Sequence, residues 1–120
     1  MVFNVAAANC DDHSKNFSFV LPEGGEWKLS PAYDVTHAFA PRGKWTHGHL
    51  MAVNGRRTAI CREDVDTVAD RFAVPGARRI VEQVLAAVDE WPRHAKDAGV
   101  PDDVAHGVAE DIDFWSTPLR

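Results

Sequence analysis

The chain has 120 residues, of which 45% are hydrophobic, enough for one domain with one modest core and too few for two ordinary domains. The formal net charge is −5 and no long run of lysine or arginine occurs, so direct binding of DNA or RNA is not expected. The two cysteines cannot form a disulfide framework, and the apolar run at residues 1–8 lacks the basic residues of an export signal. Composition therefore predicts a cytoplasmic protein without a membrane span.

The first half of the chain predicts a short helix followed by a β-hairpin. Residues 1–8 have a helical composition with no capping segment ahead of them, which is typical of the second half of a larger domain. Two apolar runs, residues 17–21 and 26–29, flank a pair of glycines that can supply the positive φ of a tight turn. Pro31 ends strand pairing, which places Asp34 just beyond a strand end.

Residues 36–60 show no hydrophobic period, and we predict a loop there with at most one short helix or strand pair. A helix is predicted from about Glu63 to Phe72, with Asp64 at the capping-box position three residues after Cys61. Pro75-Gly76 ends this helix.

The strongest helical pattern runs from Ile80 to Val88, and we expect that helix to end at Trp91-Pro92. Pro101 and the two aspartates after it suit the first turn of a last helix that buries Val104, Val108 and Ile112. The predicted fold class is α+β and mostly α, with one β-hairpin followed by a helical bundle. Residues 1–120 form one unit, with a polar loop and hairpin at 9–35 and a helical part at about 62–112.

The polar run at residues 11–16 carries the most specific chemical signal. Asp11 and Asn16 have the D-x-x-x-x-N spacing of a phosphotransferase catalytic loop. The aspartate accepts the proton of an attacking hydroxyl group, and the asparagine oxygen binds a hard divalent cation. A second carboxylate must help to hold this cation, and the hairpin would bring Asp34 back to the loop. The sequence therefore predicts that Asp11, Asn16 and Asp34 converge.

Three segments of the chain resemble the carboxy-terminal lobe of the HipA toxin family of serine/threonine kinases. They are Phe3-Asn4-Val5, Asp11-Asp12-His13-Ser14-Lys15-Asn16-Phe17-Ser18 and Leu29-Ser30-Pro31-Ala32-Tyr33-Asp34. The resemblance extends from Met1 to about Gly107, and its specific motifs lie in the first thirty-odd residues. It implies that Asp11 is the catalytic base, that Asn16 and Asp34 are magnesium ligands, and that Asp12 is a bystander.

Two further residues of the loop receive roles on this reading. His13, two residues after Asp11, is expected to brace the loop. Lys15 has two open roles, since it could place a positive charge near the transferring phosphoryl group or pair with Asp12 at the surface.

The resemblance implies a protein kinase C-lobe that uses Mg²⁺ and ATP to phosphorylate a protein. The sequence has no glycine-rich phosphate loop and no strand lysine with a helix glutamate partner, so half of the ATP site is missing and the isolated chain is expected to be inactive. The expected partners are a protein substrate, a HipB-like antitoxin or a separately encoded N-lobe, and self-association is a further expectation.

Two alternatives were weighed against a kinase lobe. A non-catalytic interaction module, a truncated relic of the kinase, would bind an antitoxin or N-lobe through the surface that a missing lobe uncovers. A metal-dependent hydrolase would use His13, His37, His47 and His49, but His47 and His49 are too close in sequence to close a tetrahedral site unaided, and exposed loop histidines are favoured instead. The tryptophans and Phe72 are predicted to be core residues, and Arg78-Arg79 a solvated helix edge.

Overall fold

The computed structural model describes all 120 residues and shows an α+β fold that is mostly helical, as the sequence predicts. One two-stranded antiparallel hairpin lies between the first helix and the other four. Short 3₁₀ turns occupy Ser14–Asn16 and Thr117–Leu119. No helix has both the length and the apolar character that a membrane crossing requires. The elements are α1 (Val2–Ala6), β1 (Phe19–Val20), β2 (Lys28–Leu29), α2 (Arg62–Arg71), α3 (Ala77–Asp89), α4 (Trp91–Asp97) and α5 (Asp102–Ser116).

The hairpin is where the sequence places it, but its strands are shorter than predicted. Only two residue pairs form, Phe19 with Leu29 and Val20 with Lys28, and both strands are exposed. Gly24 has φ of 68° within a turn closed by the Gly25 N–H, which donates to the Pro22 carbonyl oxygen at 3.0 Å. The turn glycines therefore serve the predicted purpose.

Helices α2 and α3 confirm two local predictions. The Asp64 carboxylate accepts a hydrogen bond from the Cys61 backbone N–H at 3.0 Å, which caps the start of α2. In α3, Val81, Leu85 and Val88 form the buried face, whereas Ile80 lies at its exposed margin. The predicted apolar face is therefore confirmed at these three positions, and Ile80 is the exception.

Helix α4 was not predicted. We expected Trp91-Pro92 only to end α3, but Pro92 lies in the first turn of a new helix, where its missing N–H costs nothing. The Trp91 indole N–H donates to the Ala105 carbonyl oxygen at 2.9 Å and joins α4 to α5. Helix α5 extends past the predicted end to Ser116, and it buries Ile112 while Val104 stays exposed.

The short helix α1 lies at the centre of the core. Val5 and Ala6 are fully buried, and α1 packs against both α3 and α5. Because the polar loop follows α1 directly, the core fixes where that loop begins. The other buried residues of this core are Ala8, Cys10, Val53, Ile60, Val65, Val81, Leu85, Val88, Ile112, Trp115 and Leu119.

The prediction that the large aromatic residues are core residues is wrong for three of them. Trp27 and Trp45 are about two thirds exposed, at 68% and 65%, and Phe72 is also exposed. Trp115 is buried and Trp91 is half-buried. Residue type and helical period predicted that these side chains are buried. In the structure no other part of the chain covers Trp27, Trp45 or Phe72.

The loop predicted at residues 36–60 has no helix and no extended strand pair. It contains only isolated bridges, one between Asn9 and Ala38 and one between Val53 and Arg56. The second closes on Asn54-Gly55, both of which have positive φ. Such a dipeptide is a strong turn signal.

Candidate active site

The polar loop is attached to the segment that follows Asp34. Ala8 adopts a left-handed backbone conformation with φ of 55°, which turns the chain out of α1. The Ala38 N–H then donates to the Ala8 carbonyl oxygen at 3.1 Å, and the Cys10 N–H donates to the Ala38 carbonyl oxygen at 3.2 Å. These bonds hold residues 8–10 beside Ala38. The two halves of the predicted site are therefore neighbours.

Asn16 is oriented by Asp11. The 3₁₀ turn Ser14–Asn16 curls the chain back, and the Asn16 Nδ2 donates to the Asp11 carbonyl oxygen at 3.0 Å. The amide oxygen of Asn16 accepts no hydrogen bond from the protein. This bond explains the five-residue spacing, because it uses the asparagine nitrogen and leaves the oxygen for a ligand.

Asp34 is held in place from two directions. The Asn9 Nδ2 donates to the Asp34 carbonyl oxygen at 3.4 Å, and the hydroxyl group of the neighbouring Tyr33 donates to the Lys15 carbonyl oxygen at 2.7 Å. Asp34 has φ of 54°, a left-handed conformation that aspartate tolerates better than most residues. Its carboxylate forms no ion pair and accepts no hydrogen bond, so it is available to a cation.

Asn16 and Asp34 line the same cavity, which has a volume of about 270 Å³. Asn4 and Asn9 also line it, and Asn9 is buried with its Oδ1 unpaired. Asp11 does not line this cavity; it lines a separate groove. The structure thus brings two of the three predicted residues together and connects the third through its backbone carbonyl.

The donor set at this cavity fits a magnesium ion. Asn16 and Asp34 offer one amide oxygen and one carboxylate, and Mg²⁺ prefers oxygen ligands of this kind. Two protein ligands are few for a dedicated protein site, but they suit a Mg²⁺ ion whose other ligands are water and phosphate oxygens.

The prediction that Asp12 is a bystander is wrong, because Asp12 is buried and anchors the loop. Its carboxylate accepts hydrogen bonds from His49 Nδ1 at 2.9 Å and from the backbone N–H groups of Leu50 and Met51 at 2.8 and 3.1 Å. Burial acts to raise the pKa of Asp12, but the bonds from His49, Met51 and Leu50 outweigh it and leave this pKa below its usual value. Asp12 therefore joins the polar loop to residues 49–51.

His49 extends this anchor to Cys10 and Trp115. It is fully buried, so the expectation of an exposed loop histidine is wrong for this residue. The Nε2 of His49 lies 3.8 Å from the Cys10 sulfur, and its ring stands edge-on to Trp115. Burial, with smaller contributions from the charges of Asp12 and Asp111, raises the pKa of Cys10 to about 12. The thiol is thus kept protonated. Asp12, His49 and Cys10 are arranged like the acid, base and nucleophile of a catalytic triad, but the Cys10 thiol is not an activated nucleophile.

His13 and Lys15 lie on the outer side of the loop. The Nε2 of His13 is 4.0 Å from an Asp11 carboxylate oxygen, and its Nδ1 is buried without a hydrogen bond. Lys15 is exposed and has no carboxylate partner. The surface pair of Lys15 with Asp12 does not form, because the Asp12 carboxylate faces His49 inside the protein. The role of Lys15 near a phosphoryl group and the bracing role of His13 remain predictions.

The histidines do not assemble into a zinc centre. His37 Nε2 lies 2.9 Å from Asp111 of α5, and His47 Nδ1 lies 3.1 Å from the Gly43 carbonyl oxygen. His49 is occupied by Asp12, and no group of three or more His, Cys, Asp or Glu residues is arranged to hold a metal ion. These contacts give the metal-dependent hydrolase no support.

Sequence reasoning missed two supports of the site. Asn9 belongs to the polar run, but its bond to the backbone of Asp34 spans 25 residues and leaves no local pattern. The same holds for Asp12 and His49, which are 37 residues apart.

Comparison with known proteins agrees with the resemblance of the motifs. The family described as the HipA-like C-terminal domain matches residues 1–91, which include the whole candidate site. The match ends at the start of α4, short of the Gly107 limit that we expected. No solved structure matches the chain. Since the matched part is most of its length, the chain belongs to the family of HipA-like C-terminal domains.

Proposed function

We propose that this chain is the catalytic C-terminal lobe of a HipA-type serine/threonine protein kinase, which transfers the γ-phosphoryl group of Mg-ATP to a protein hydroxyl group. One observation carries the proposal. Asn16 and Asp34 line one cavity with free oxygens, while the Asn16 amide is tied to the backbone of Asp11. This bond links the segment that carries the proposed base to a proposed metal ligand, which supports a site where the two act together, as phosphoryl transfer requires.

Each residue of the site has a role in this reaction. The Asp11 carboxylate accepts the proton of the attacking hydroxyl group. Asn16 and Asp34 would hold a magnesium ion, which when bound neutralises charge on the phosphates of ATP. Lys15 is exposed on the same short turn as Asn16 and would add a positive charge near the transferred group. Tyr33 and Asn9 keep the segment around Asp34 against the catalytic loop.

The site accounts for only part of what ATP requires. In these 120 residues no glycine-rich loop lies near the cavity, so the nucleotide phosphates lack a cradle. We therefore propose that activity needs a nucleotide-binding lobe as partner, and that the chain by itself transfers no phosphate.

Replacing Asp34 with asparagine is expected to weaken Mn²⁺ binding at least about tenfold, because one of two protein ligands loses its charge. Mn²⁺ prefers the same oxygen ligands as Mg²⁺, and its paramagnetism broadens nearby NMR signals. In the wild-type chain, a titration followed in ¹H–¹⁵N spectra should broaden the amide signals of Asn16 and Asp34 first. Asparagine also tolerates a left-handed backbone, so the substitution keeps the fold of the segment.

The matched control is Asp70→Asn, which removes one exposed carboxylate from the end of α2 and changes the net charge equally. It should leave the Mn²⁺ titration unchanged. Broadening that begins elsewhere in the chain, or equal losses in the two variants, would contradict the proposed metal site.

A second candidate function is a non-catalytic interaction module, and the exposed hairpin favours it. Phe19, Trp27 and Leu29 are each more than 60% exposed in one short segment. Contiguous exposed apolar surface of this kind marks interaction sites. On this proposal the chain self-associates through the hairpin in the absence of its partner, and Trp27→Ser should shift a sedimentation-velocity profile towards the monomer. A wild-type chain that stays monomeric at high concentration would remove the basis of this candidate.

A further inference from the structure

Residues 35–62 have a charge opposite to that of the rest of the chain. They contain five arginines and lysines and no aspartate or glutamate, although the whole chain has a net charge of −5. Three of these cations are engaged: Arg56 with Asp64, Arg62 with Asp66, and Arg57 with the His49 carbonyl oxygen. Arg42 and Lys44 are exposed and have no carboxylate partner. Arg42 and Lys44 are thus two free cations in a segment that contains no aspartate or glutamate.

The loop at residues 40–47 that carries them has a defined conformation. The Ala40 N–H donates to the Thr46 carbonyl oxygen at 3.1 Å, and the Gly43 N–H donates to the Ala40 carbonyl oxygen at 2.7 Å. Gly43 packs so closely that a Cβ atom there would lie 2.9 Å from the Ala40 Cβ. His47 adds a bond from its ring to the Gly43 carbonyl oxygen. These contacts hold residues 40–47 in a compact turn with Lys44 and Trp45 at its tip.

That tip lies on the groove that contains the proposed base. Asp11, Lys44 and Trp45 all line the groove, together with Gly43, Thr46 and Leu50. Trp45 is 65% exposed, and the Lys44 Nζ lies 4.7 Å from the centre of its ring. Exposed tryptophan beside an unpaired cation is typical of binding surfaces, because it offers a large rigid contact area.

We infer that this groove binds the acceptor segment of the protein substrate, and that it selects a serine or threonine flanked by acidic side chains. The inference rests on the proposed role of Asp11. The acceptor hydroxyl lies at Asp11, Lys44 pairs with an acidic neighbour, and Trp45 packs against the peptide. Arg42 does not line the groove, but it adds positive charge to the same loop two residues before Lys44. Since the Asp11 carboxylate repels acidic groups, the acidic residues lie on the side of Lys44.

A nucleic acid is the less suitable ligand for the same surface. Only two free cations are present, and the groove itself contains the Asp11 carboxylate. A phosphate backbone needs several cations along its path and would be repelled by this carboxylate and by the net negative charge of the chain.

The test is an NMR titration of the 120-residue chain with a synthetic peptide that has one serine between aspartates and glutamates. The chain has four tryptophans, so its indole N–H signals are few and assignable. The Trp45 signal should shift, while that of Trp27, which is equally exposed on the hairpin, should stay. A peptide with lysines in place of the acidic residues should bind at least about tenfold more weakly, and the difference should shrink as salt is added.

Charge variants locate the binding. Lys44→Glu should abolish the preference for the acidic peptide, whereas Lys96→Glu, which changes an exposed lysine of α4 by the same charge, should keep it. Asp11→Asn should tighten binding of the acidic peptide, since the repelling carboxylate is gone.

Equal shifts of Trp27 and Trp45, equal losses in the two lysine variants, or stronger binding of a single-stranded oligonucleotide would overturn the inference. If the acidic peptide does not bind but Mn²⁺ still binds at Asp34, the peptide inference is wrong and the kinase proposal stands. If the wild-type chain does not bind Mn²⁺ at Asp34, the kinase proposal itself is contradicted.

Discussion

Replacing Asp12 with alanine is expected to lower the free energy of unfolding by about 3 kcal/mol or more, because three hydrogen-bond donors lose their acceptor and each buried polar group left unpaired costs about 1–3 kcal/mol. The Asp12 carboxylate is 4% exposed, and the His49 side chain that it meets is fully buried. The substitution leaves His49 and the N–H groups of Leu50 and Met51 without an acceptor. Since small domains are stable by only about 5–15 kcal/mol, urea denaturation followed by circular dichroism should show a much earlier transition.

The control for this variant is Asp66→Ala, which breaks an exposed pair. Arg62 and Asp66 lie 3.0 Å apart on one face of α2, and half of the Asp66 side chain is exposed. Pairs of this kind contribute about 1 kcal/mol or less. Equal effects of the two substitutions on the urea midpoint would show that Asp12 is not an anchor.

The pH dependence of stability follows from the same carboxylate. The folded protein holds the pKa of Asp12 below its usual value, so its contribution is complete above the unfolded pKa of about 3.9 and is lost as the pH falls through the lower, folded value. The wild-type chain should therefore lose stability in acid, and Asp12→Asn should flatten this part of the profile. A variant with the same acid dependence as the wild type would contradict this origin.

The Trp115→Ala substitution is expected to cost about 3–5 kcal/mol, as large-to-small changes at buried aromatic residues do. Trp115 is 3% exposed and its ring centre lies 4.6 Å from that of His49 and 5.5 Å from that of Phe39. This tryptophan lies outside the residues that the family matches, yet it packs directly against the anchor of the catalytic loop. We expect a large decrease in the thermal midpoint.

Phe114→Ala provides the comparison, because Phe114 is the adjacent residue and is 64% exposed. It should shift the midpoint far less than Trp115→Ala. If both substitutions had the same small effect, α5 would be an appendage and not a support of the site.

Local signals predicted those parts of the fold that depend on short stretches of chain. The cap of α2 at Asp64 and the buried face of α3 at Leu85 follow from spacing along a helix, and both are present. Pro92 was interpreted only as a helix end, since a proline signal at a helix start and at a helix end looks alike. Trp27 and Trp45 were predicted to be core residues because tryptophan is usually buried. This prediction failed because residue type does not show whether another part of the chain covers a loop.

The site divides in the same way. The spacing of Asp11 and Asn16 and the return of the hairpin predicted the pairing of Asn16 with Asp34. The anchor formed by Asp12 and His49 could not be predicted, because it depends on a contact across a loop without hydrophobic period. The proximity of Asn16 and Asp34 could thus be predicted from the sequence, whereas the residues that hold the polar loop are set by tertiary packing.

The central position of α1 has a consequence for motion. This five-residue helix packs against both α3 and α5, and the polar loop begins at residue 9, three residues after its end. Amide protons near Val5 and Cys10 can exchange with solvent only when the whole core opens, whereas those of the two-pair hairpin can exchange through local fraying. We therefore expect slow amide exchange in the buried residues 8–10 that lead into Asp11, and fast exchange in the hairpin that precedes Asp34.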